Sequence, residues 1–377
     1  MRIGFDAKRI YHNSSGLGNY GRNLLNGLLQ YYPNFQYHLY NPKPGNLFHT
    51  PSKNVHEIQP QSFLYKWFPS LWRSRGLCAQ LPAEVDLYHG LSNELPFGIH
   101  RTALASVVSI HDLIFEKYPE YYTATDRKIY RKKFSYSSQA AKLVLACSEL
   151  TKRDLIHHYQ IPAEKIKVHY QSCSPRFYQA LHQDELESIR KTYSLPDSYV
   201  LYVGSIIERK NLLALVQAFS QWPSNDLKLL VVGQGSAYRQ QVENFIRQSG
   251  LERRIIFMND HFPYLQLDAV LPALYQMAAC FVYPSFYEGF GIPVLEAHAS
   301  HCPVITSGNL SSMSEISGDA AAYIQPCEPD SILQALKSVL NDTGLANQMR
   351  ELGKIRAERF NLKSSTDQLI QYYQDLM

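Results

Sequence analysis

The sequence lacks most of the short motifs that announce a bound cofactor or a covalent mechanism. It has no Walker-type glycine–lysine loop, no H-E-x-x-H and no G-x-S-x-G, which removes P-loop chemistry, zinc proteolysis and the serine-hydrolase elbow. No two aspartates stand two residues apart, so a D-x-D metal clamp is absent. The six cysteines (Cys78, Cys147, Cys173, Cys280, Cys302, Cys327) form no C-x-x-C or C-x-H spacing, which excludes the common zinc frameworks. Cys147 and Cys280 lie in or beside apolar runs and read as small core residues, so a reducing cytoplasm is the expected compartment. No apolar run is long enough to span a bilayer, and MRIGFDAKRIYH lacks the apolar core of a signal peptide. The N-x-[ST] triplets at Asn13, Asn309 and Asn341 then carry no meaning. A net charge of +4 over 377 residues is too mild for the footprint of a nucleic-acid binder.

What is present describes a folded α/β protein. Hydrophobic residues make up 45% and charged residues 19%, a globular balance, and the length asks for two domains. RIGFDA, YHLYNP, VDLYHG, ASVVSIHDL, KLVLACSE and KIKVHYQ read as strands of a first set, with a helix over 19–32 after a polar loop. SYVLYVGS opens a second set that continues through LKLLVVGQG, RIIFMND, CFVYPS, CPVITSG and AAAYIQP, with helical patterns between them. Such alternation marks parallel sheets. The expected fold is two doubly wound, Rossmann-like domains facing across a cleft, over 1–175 and 176–359, followed by a helix at 360–377. Ligands of such sheets bind beyond the strands' carboxyl ends.

Four stretches place chemistry at those ends. In SFYEGFGIPVLEAH (285–298), Glu288 lies in the loop after a strand, and Pro293 fits the first turn of the following helix. Gly289 and Gly291 allow close backbone approach, and Glu296 lies about one turn into that helix. Carboxylates suit pairs of sugar hydroxyls, although a glycine turn plus a glutamate favouring the helix dipole would read the same way. In VGSIIERKNLL, Arg209 and Lys210 follow a strand and could clamp a diphosphate; a solvated basic turn is the plainer alternative. His111, in IHDL, ends a strand and could bond a substrate hydroxyl or move a proton, or serve only as a structural donor. SGLGNYG carries G-x-G-x-x-G at Gly16, Gly18 and Gly21, but a long loop precedes it and no carboxylate follows at the dinucleotide spacing. A nicotinamide site is rejected, and a glycine-rich loop lining the cleft is kept.

Together these residues resemble the retaining GT-B glycosyltransferases of family 4, also called glycosyl transferases group 1, and in particular bacterial mannosyltransferases. EGFGIPVLE looks like the family's E-x7-E motif and GSIIERKNL like its donor-phosphate loop. The likeness runs through SELTKRDL and NLSSMSEISGDAA to the last helix. It implies an acceptor-side first domain, a donor-side second domain, and a final helix packing back on the first. It assigns Glu296 to the donor ribose and Glu288 to the transferred sugar. Gly204, Arg209 and Lys210 would surround the diphosphate, and Phe290 and Gly291 would offer backbone amides. His111 would lie under the sugar, Gly16 and Gly18 would face donor and acceptor, and Glu315 would stand on the base side. Two departures stand out. Gly204-Ser205 replaces the usual Gly-Arg, so Arg209 must supply that charge. His301 stands where a glycine usually precedes C-P-V.

The implied reaction moves a hexose from a nucleotide sugar to a glycan or lipid-linked glycan, with retention, no cofactor and no metal. HDLIFEKYPEYY and SELTKRDL favour GDP-mannose, with a UDP-hexose as the alternative. FLYKWFPSLWRSR (63–75) interleaves aromatics and cations, so it either touches an anionic membrane surface at the inner face or lines the acceptor groove. The rival readings are a sugar-nucleotide epimerase, which needs no acceptor, and an inactive nucleotide-sugar binding subunit.

Overall fold

The structure is a computed structural model that describes all residues except Pro51, Asn309 and Leu310. The triplet at Asn309, and the first two residues of NLSSMSEISGDAA, lie outside the described residues. The chain divides into two compact units, Met1–Ser172 with Asn361–Met377, and Cys173–Phe360.

Among the described residues the first unit holds seven strands: β1 (Arg2–Asp6), β2 (Gln36–Tyr40), β3 (Val55–Ile58), β4 (Leu87–Gly90), β5 (Ala105–Ile110), β6 (Leu143–Ala146) and β7 (Ile166–Val168). They are ordered β3-β2-β1-β4-β5-β6-β7, and every pairing is parallel. Alternate side chains of a strand point to opposite faces, and here both faces are covered. Val107, Leu143 and Leu145 pack in one apolar cluster with Leu24, Leu28 and Tyr373. Their neighbours Val108, Val144 and Ala146 pack in the other, with Trp72, Leu81 and Leu155. Double coverage explains why β5 and β6 read as unbroken apolar runs. The final helix, Leu362–Gln374, belongs to this unit. Tyr373 is fully buried there and its hydroxyl lies 2.6 Å from His89 Nδ1, while Tyr372 donates to the Val168 carbonyl at 3.1 Å.

The second unit holds β8 (Tyr199–Val203), β9 (Lys228–Val232), β10 (Ile255–Phe257), β11 (Cys280–Tyr283), β12 (Val304–Ser307) and β13 (Ala321–Ile324). The order is β10-β9-β8-β11-β12-β13, again all parallel. Strand order reverses between β8 and β11 here, and between β1 and β4 in the first unit. Such switch points open a crevice beyond the strands' carboxyl ends.

One expectation is corrected. Gly16 and Gly18 do not form a loop, because the helix runs from Gly16 to Tyr31. Asn13 Oδ1 accepts from the Ser15 and Gly18 amides at 2.9 and 3.3 Å, so the turn is spent on Asn13–Ser15 and the glycines enter the first helical turn. The 63–75 segment is broken into short pieces. It folds as Phe63–Trp67, Pro69–Leu71 and a π-helical turn at Trp72–Gly76, which sends Trp72 into the core and joins Arg73 to Asp6 at 2.7 Å. Arg73 is therefore withdrawn from any membrane contact.

Candidate active site

The second unit's switch point gathers most of the singled-out residues. After β8, the Gly204 amide donates to Val232 O at 2.9 Å and the Ile206 amide to Gln234 O at 2.7 Å, tying this loop to the one after β9. The loop closes in a short 3-10 turn, Glu208–Lys210, and leaves through Asn211 in the left-handed region. Asn tolerates that conformation, and its side-chain amide donates to Pro284 O and Pro326 O at 3.3 and 2.6 Å. The loops after β8 and β11 are stitched further by the Phe286 amide, which donates to Arg209 O at 2.9 Å.

This scaffold places Arg209 Nη1 2.7 Å from Glu288 Oε1 and Lys210 Nζ 3.7 Å from the same oxygen. Ser285 Oγ and Tyr283 OH donate to Oε1 at 2.8 and 2.9 Å, and Lys210 Nζ donates to Tyr283 OH at 2.8 Å. Arg209 also donates to Tyr287 O. Glu288 Oε2 has no partner among the described residues, so one carboxylate oxygen stays open to a ligand. Burial pushes this carboxyl up, but Lys210, Arg209 and the Ser285 hydroxyl outweigh it and hold the pKa at about 2. Burial lowers the Lys210 pKa against the pull of Glu288. Two cations and one carboxylate leave a surplus positive charge at this point.

The next element, Ile292–Ala299, starts at Gly291 with φ +113°. Only glycine adopts that angle without strain, and a Cβ there would stand 3.2 Å from Met313 Cγ. The helix Ser312–Ser317, which carries Glu315, therefore packs directly on Gly291. Phe290, nearly buried, meets the Phe360 ring edge-on at 5.9 Å. Pro293 occupies the first turn, where its missing N–H removes no helical bond. Past the end of this helix, His301 takes φ +56°. The tight turn is thus kept at the position where the family pattern has glycine, but by a residue for which the left-handed region is costly.

Glu296, half-buried on the same helix, accepts from Tyr275 OH at 3.2 Å. Burial, then the neighbouring Asp268, raise its pKa to about 8 in spite of Arg176. At neutral pH it therefore holds its proton and can donate as well as accept. The unfolded carboxyl ionises near its ordinary value of 4.5, so ionisation favours unfolding progressively between pH 4.5 and about 8. Glu296→Gln is thus expected to raise the melting temperature, with a gain that is small at pH 5, grows towards pH 8 and then levels off. Calorimetric melts across that range check it, and a gain independent of pH would contradict it.

His111 belongs to the first unit and ends β5 at a buried position. Its Nε2 lies 2.8 Å from Leu91 O and so donates, while Nδ1 accepts from the Gln171 amide at 3.0 Å. The Tyr20 ring meets it edge-on at 4.7 Å. Burial drives its pKa down to about 4. With both nitrogens engaged and the ring neutral, His111 is held as a fixed wall. The proton-carrying role allowed from the sequence does not suit this arrangement.

Sequence reasoning overlooked Tyr283, Ser285 and Tyr275. The first two stand in YPS at the end of β11, where strand-end polar residues beside a glycine loop were the available signal. Tyr275 comes from a different helix and left none. Among the described residues, no group of three or more His, Cys, Asp or Glu converges to hold a metal, and no helix is long and apolar enough to cross a membrane.

Two family models match the chain: Glycosyltransferase Family 4 over residues 14–172 and Glycosyl transferases group 1 over residues 186–356. O-antigen chain mannosyltransferase B of Escherichia coli is 29% identical over 289 residues, covering 76% of this chain and 74% of that protein. The serotype-specific mannosyltransferase WbdA of Escherichia coli is 26% identical over 280 residues, covering 72% of this chain. That stretch is only 34% of WbdA, so the match takes in about a third of that protein. Among solved structures, sucrose-phosphate synthase from Thermosynechococcus elongatus superposes with a TM-score of 0.80 at 20% identity, covering 100% of this chain and 99% of that one.

Proposed function

The chain belongs to the glycosyltransferases of family 4, the glycosyl transferases group 1, and has their GT-B fold; from that premise we propose that it transfers mannose from GDP-mannose to a hydroxyl of a glycan or lipid-linked glycan in polysaccharide biosynthesis, with retention and without a metal. The observation that carries this reading is the Glu288 carboxylate, fixed through Oε1 by Arg209, Ser285 and Tyr283 and open at Oε2. A carboxylate so held can accept from sugar hydroxyls without reorganising, while the surplus charge of Arg209 and Lys210 faces a diphosphate. Glu296, still protonated near neutral pH, suits a ribose, whose hydroxyls both donate and accept.

In the transfer step the bond from the anomeric carbon to the phosphate oxygen breaks and its electron pair leaves with GDP. The acceptor oxygen bonds to the same face, and its proton passes to the departing phosphate. No side chain need act as nucleophile, so catalysis rests on positioning and on the two cations. Those cations do the work a divalent ion does elsewhere. The mannosyltransferase names of the bacterial relatives support the sugar and the pathway. Proton NMR of the product formed from α-linked GDP-mannose tests the reading. An α-linked product is expected, and a β-linked one would overturn retention.

A further inference from the structure

The first unit has a cavity of its own at the β1/β4 switch point. It measures about 300 Å³ and is lined by Asp6, Lys8, Arg73, Glu94, Lys133 and Tyr136 among others. It shares Ser70 and Ser74 with an outward groove formed by Trp67, Phe68 and Leu71. We propose that this cavity binds the phosphate-bearing head of an amphipathic glycosyl acceptor, and that the aromatic ridge beside it takes the acceptor's apolar chain.

The charges in the cavity do not cancel. Asp6 is paired with Arg73 at 2.7 Å, and both side chains are nearly buried. Glu94 is shared between Lys133 at 2.9 Å and Arg73 at 3.4 Å. Lys8 lines the same space, and its ammonium has no hydrogen-bond or ion-pair partner among the described residues. Three cations against two carboxylates leave one positive charge over, and it resides on Lys8. Burial and the nearby Arg73 lower the Lys8 pKa, a penalty that an anion in the cavity would relieve. The carboxylates are acceptors for sugar hydroxyls, and Glu94 is not fully enclosed. With both carboxylates already paired to Arg73 and Lys133, a phosphate has Lys8 to meet, and a sugar joined to that phosphate would use the carboxylate oxygens as well.

The ridge supplies the rest. Phe63, Trp67 and Phe68 are 77%, 70% and 57% exposed, and Leu64 and Leu71 are exposed beside them. The Phe63 and Trp67 rings lie 5.8 Å apart. Neighbouring exposed apolar side chains of this kind mark a contact site. The π-helical turn Trp72–Gly76 joins the two features. It aims Arg73 inward at Asp6 while leaving Trp67 and Phe68 outside. Head and tail sites of opposite character, joined through Ser70 and Ser74, fit one amphiphile better than a neutral glycan or a free phosphate.

The term acceptor rests on the transferase reading, but the binding does not, and dodecyl phosphate below its micelle concentration can probe it on the full chain. Contact with the alkyl chain should blue-shift the emission of Trp67, an assignment secured by loss of the signal in Trp67→Phe. We expect saturable binding that Lys8→Gln weakens about tenfold or more, the worth of one charge-assisted hydrogen bond. Inorganic phosphate, which lacks the tail, and dodecyl maltoside, which has tail and sugar but no charge for Lys8, should each bind more weakly. Equal binding of dodecyl maltoside, or indifference to Lys8→Gln, would overturn the proposal. So would a blue shift seen only with phosphatidylcholine–phosphatidylglycerol vesicles, which would make the ridge a membrane contact. GDP titration of the same protein separates the two readings: GDP binding with no dodecyl phosphate binding sinks this subsite alone, and the reverse sinks the donor assignment alone.

Discussion

Lys210→Ala is expected to lower kcat by about 10²–10³-fold, the usual cost of removing one preorganised charge from a developing anion. Its Nζ sits 2.8 Å from Tyr283 OH and 3.7 Å from Glu288 Oε1, so it arrives prepositioned. The negative charge on the leaving diphosphate grows as the glycosidic bond breaks, and kcat should therefore suffer more than KM. Folding should suffer little. Burying this ammonium is itself unfavourable, as its lowered pKa records, and Glu288 keeps Arg209, Ser285 and Tyr283 after the substitution. Steady-state kinetics beside a thermal melt check both halves. An unchanged kcat with normal folding would remove Lys210 from the chemistry.

Gly233→Ala should damage the same site without touching a charged residue. A Cβ at this position would lie 1.9 Å from the Gly204 carbonyl oxygen and 2.9 Å from its carbon, both backbone atoms. The strands cannot simply part there, because Gly204 N donates to Val232 O at 2.9 Å and Gly233 N donates to Asn259 Oδ1 at 2.7 Å. Relief must come from moving the loop that carries Arg209 and Lys210. The expected loss is about 1–3 kcal/mol of stability, accompanied by weaker nucleotide binding. Denaturant unfolding and a nucleotide titration of the variant measure the two effects. Unaltered binding would show that this loop tolerates displacement and is not the preorganised element described above.

The sheets were legible because parallel strands covered on both faces carry unbroken apolar runs. β5, β6, β8, β9 and β11 all stand out in the sequence for that reason. β3, VHEI, escaped notice: it is an edge strand, no residue of it is buried, and so it lacks the signal. SGLGNYG misled in the other direction. Its glycines suggested a loop, whereas the Asn13 side chain closes the turn early and the helix absorbs Gly16 and Gly18. Within the site, strand-end position pointed to Arg209, Lys210 and Glu288. The ion pair between them joins loops far apart in the chain, and only the sheet order brings those loops together. The fixing of His111 by Leu91 and Gln171 is likewise tertiary, so a strand-end histidine could not be told from a proton carrier in advance.

The proposed function requires Arg209, Lys210 and Glu288 to form a metal-independent diphosphate and sugar site. Calorimetric titration with GDP in EDTA, on the wild type and on Lys210→Ala, tests it most directly. Saturable binding to the wild type without metal, tighter than that of UDP, and a marked loss of affinity in Lys210→Ala are expected. A donor preference reversed towards UDP would keep the site and replace the sugar nucleotide. Absence of binding by either nucleotide, or binding that appears only when a divalent cation is restored, would contradict it.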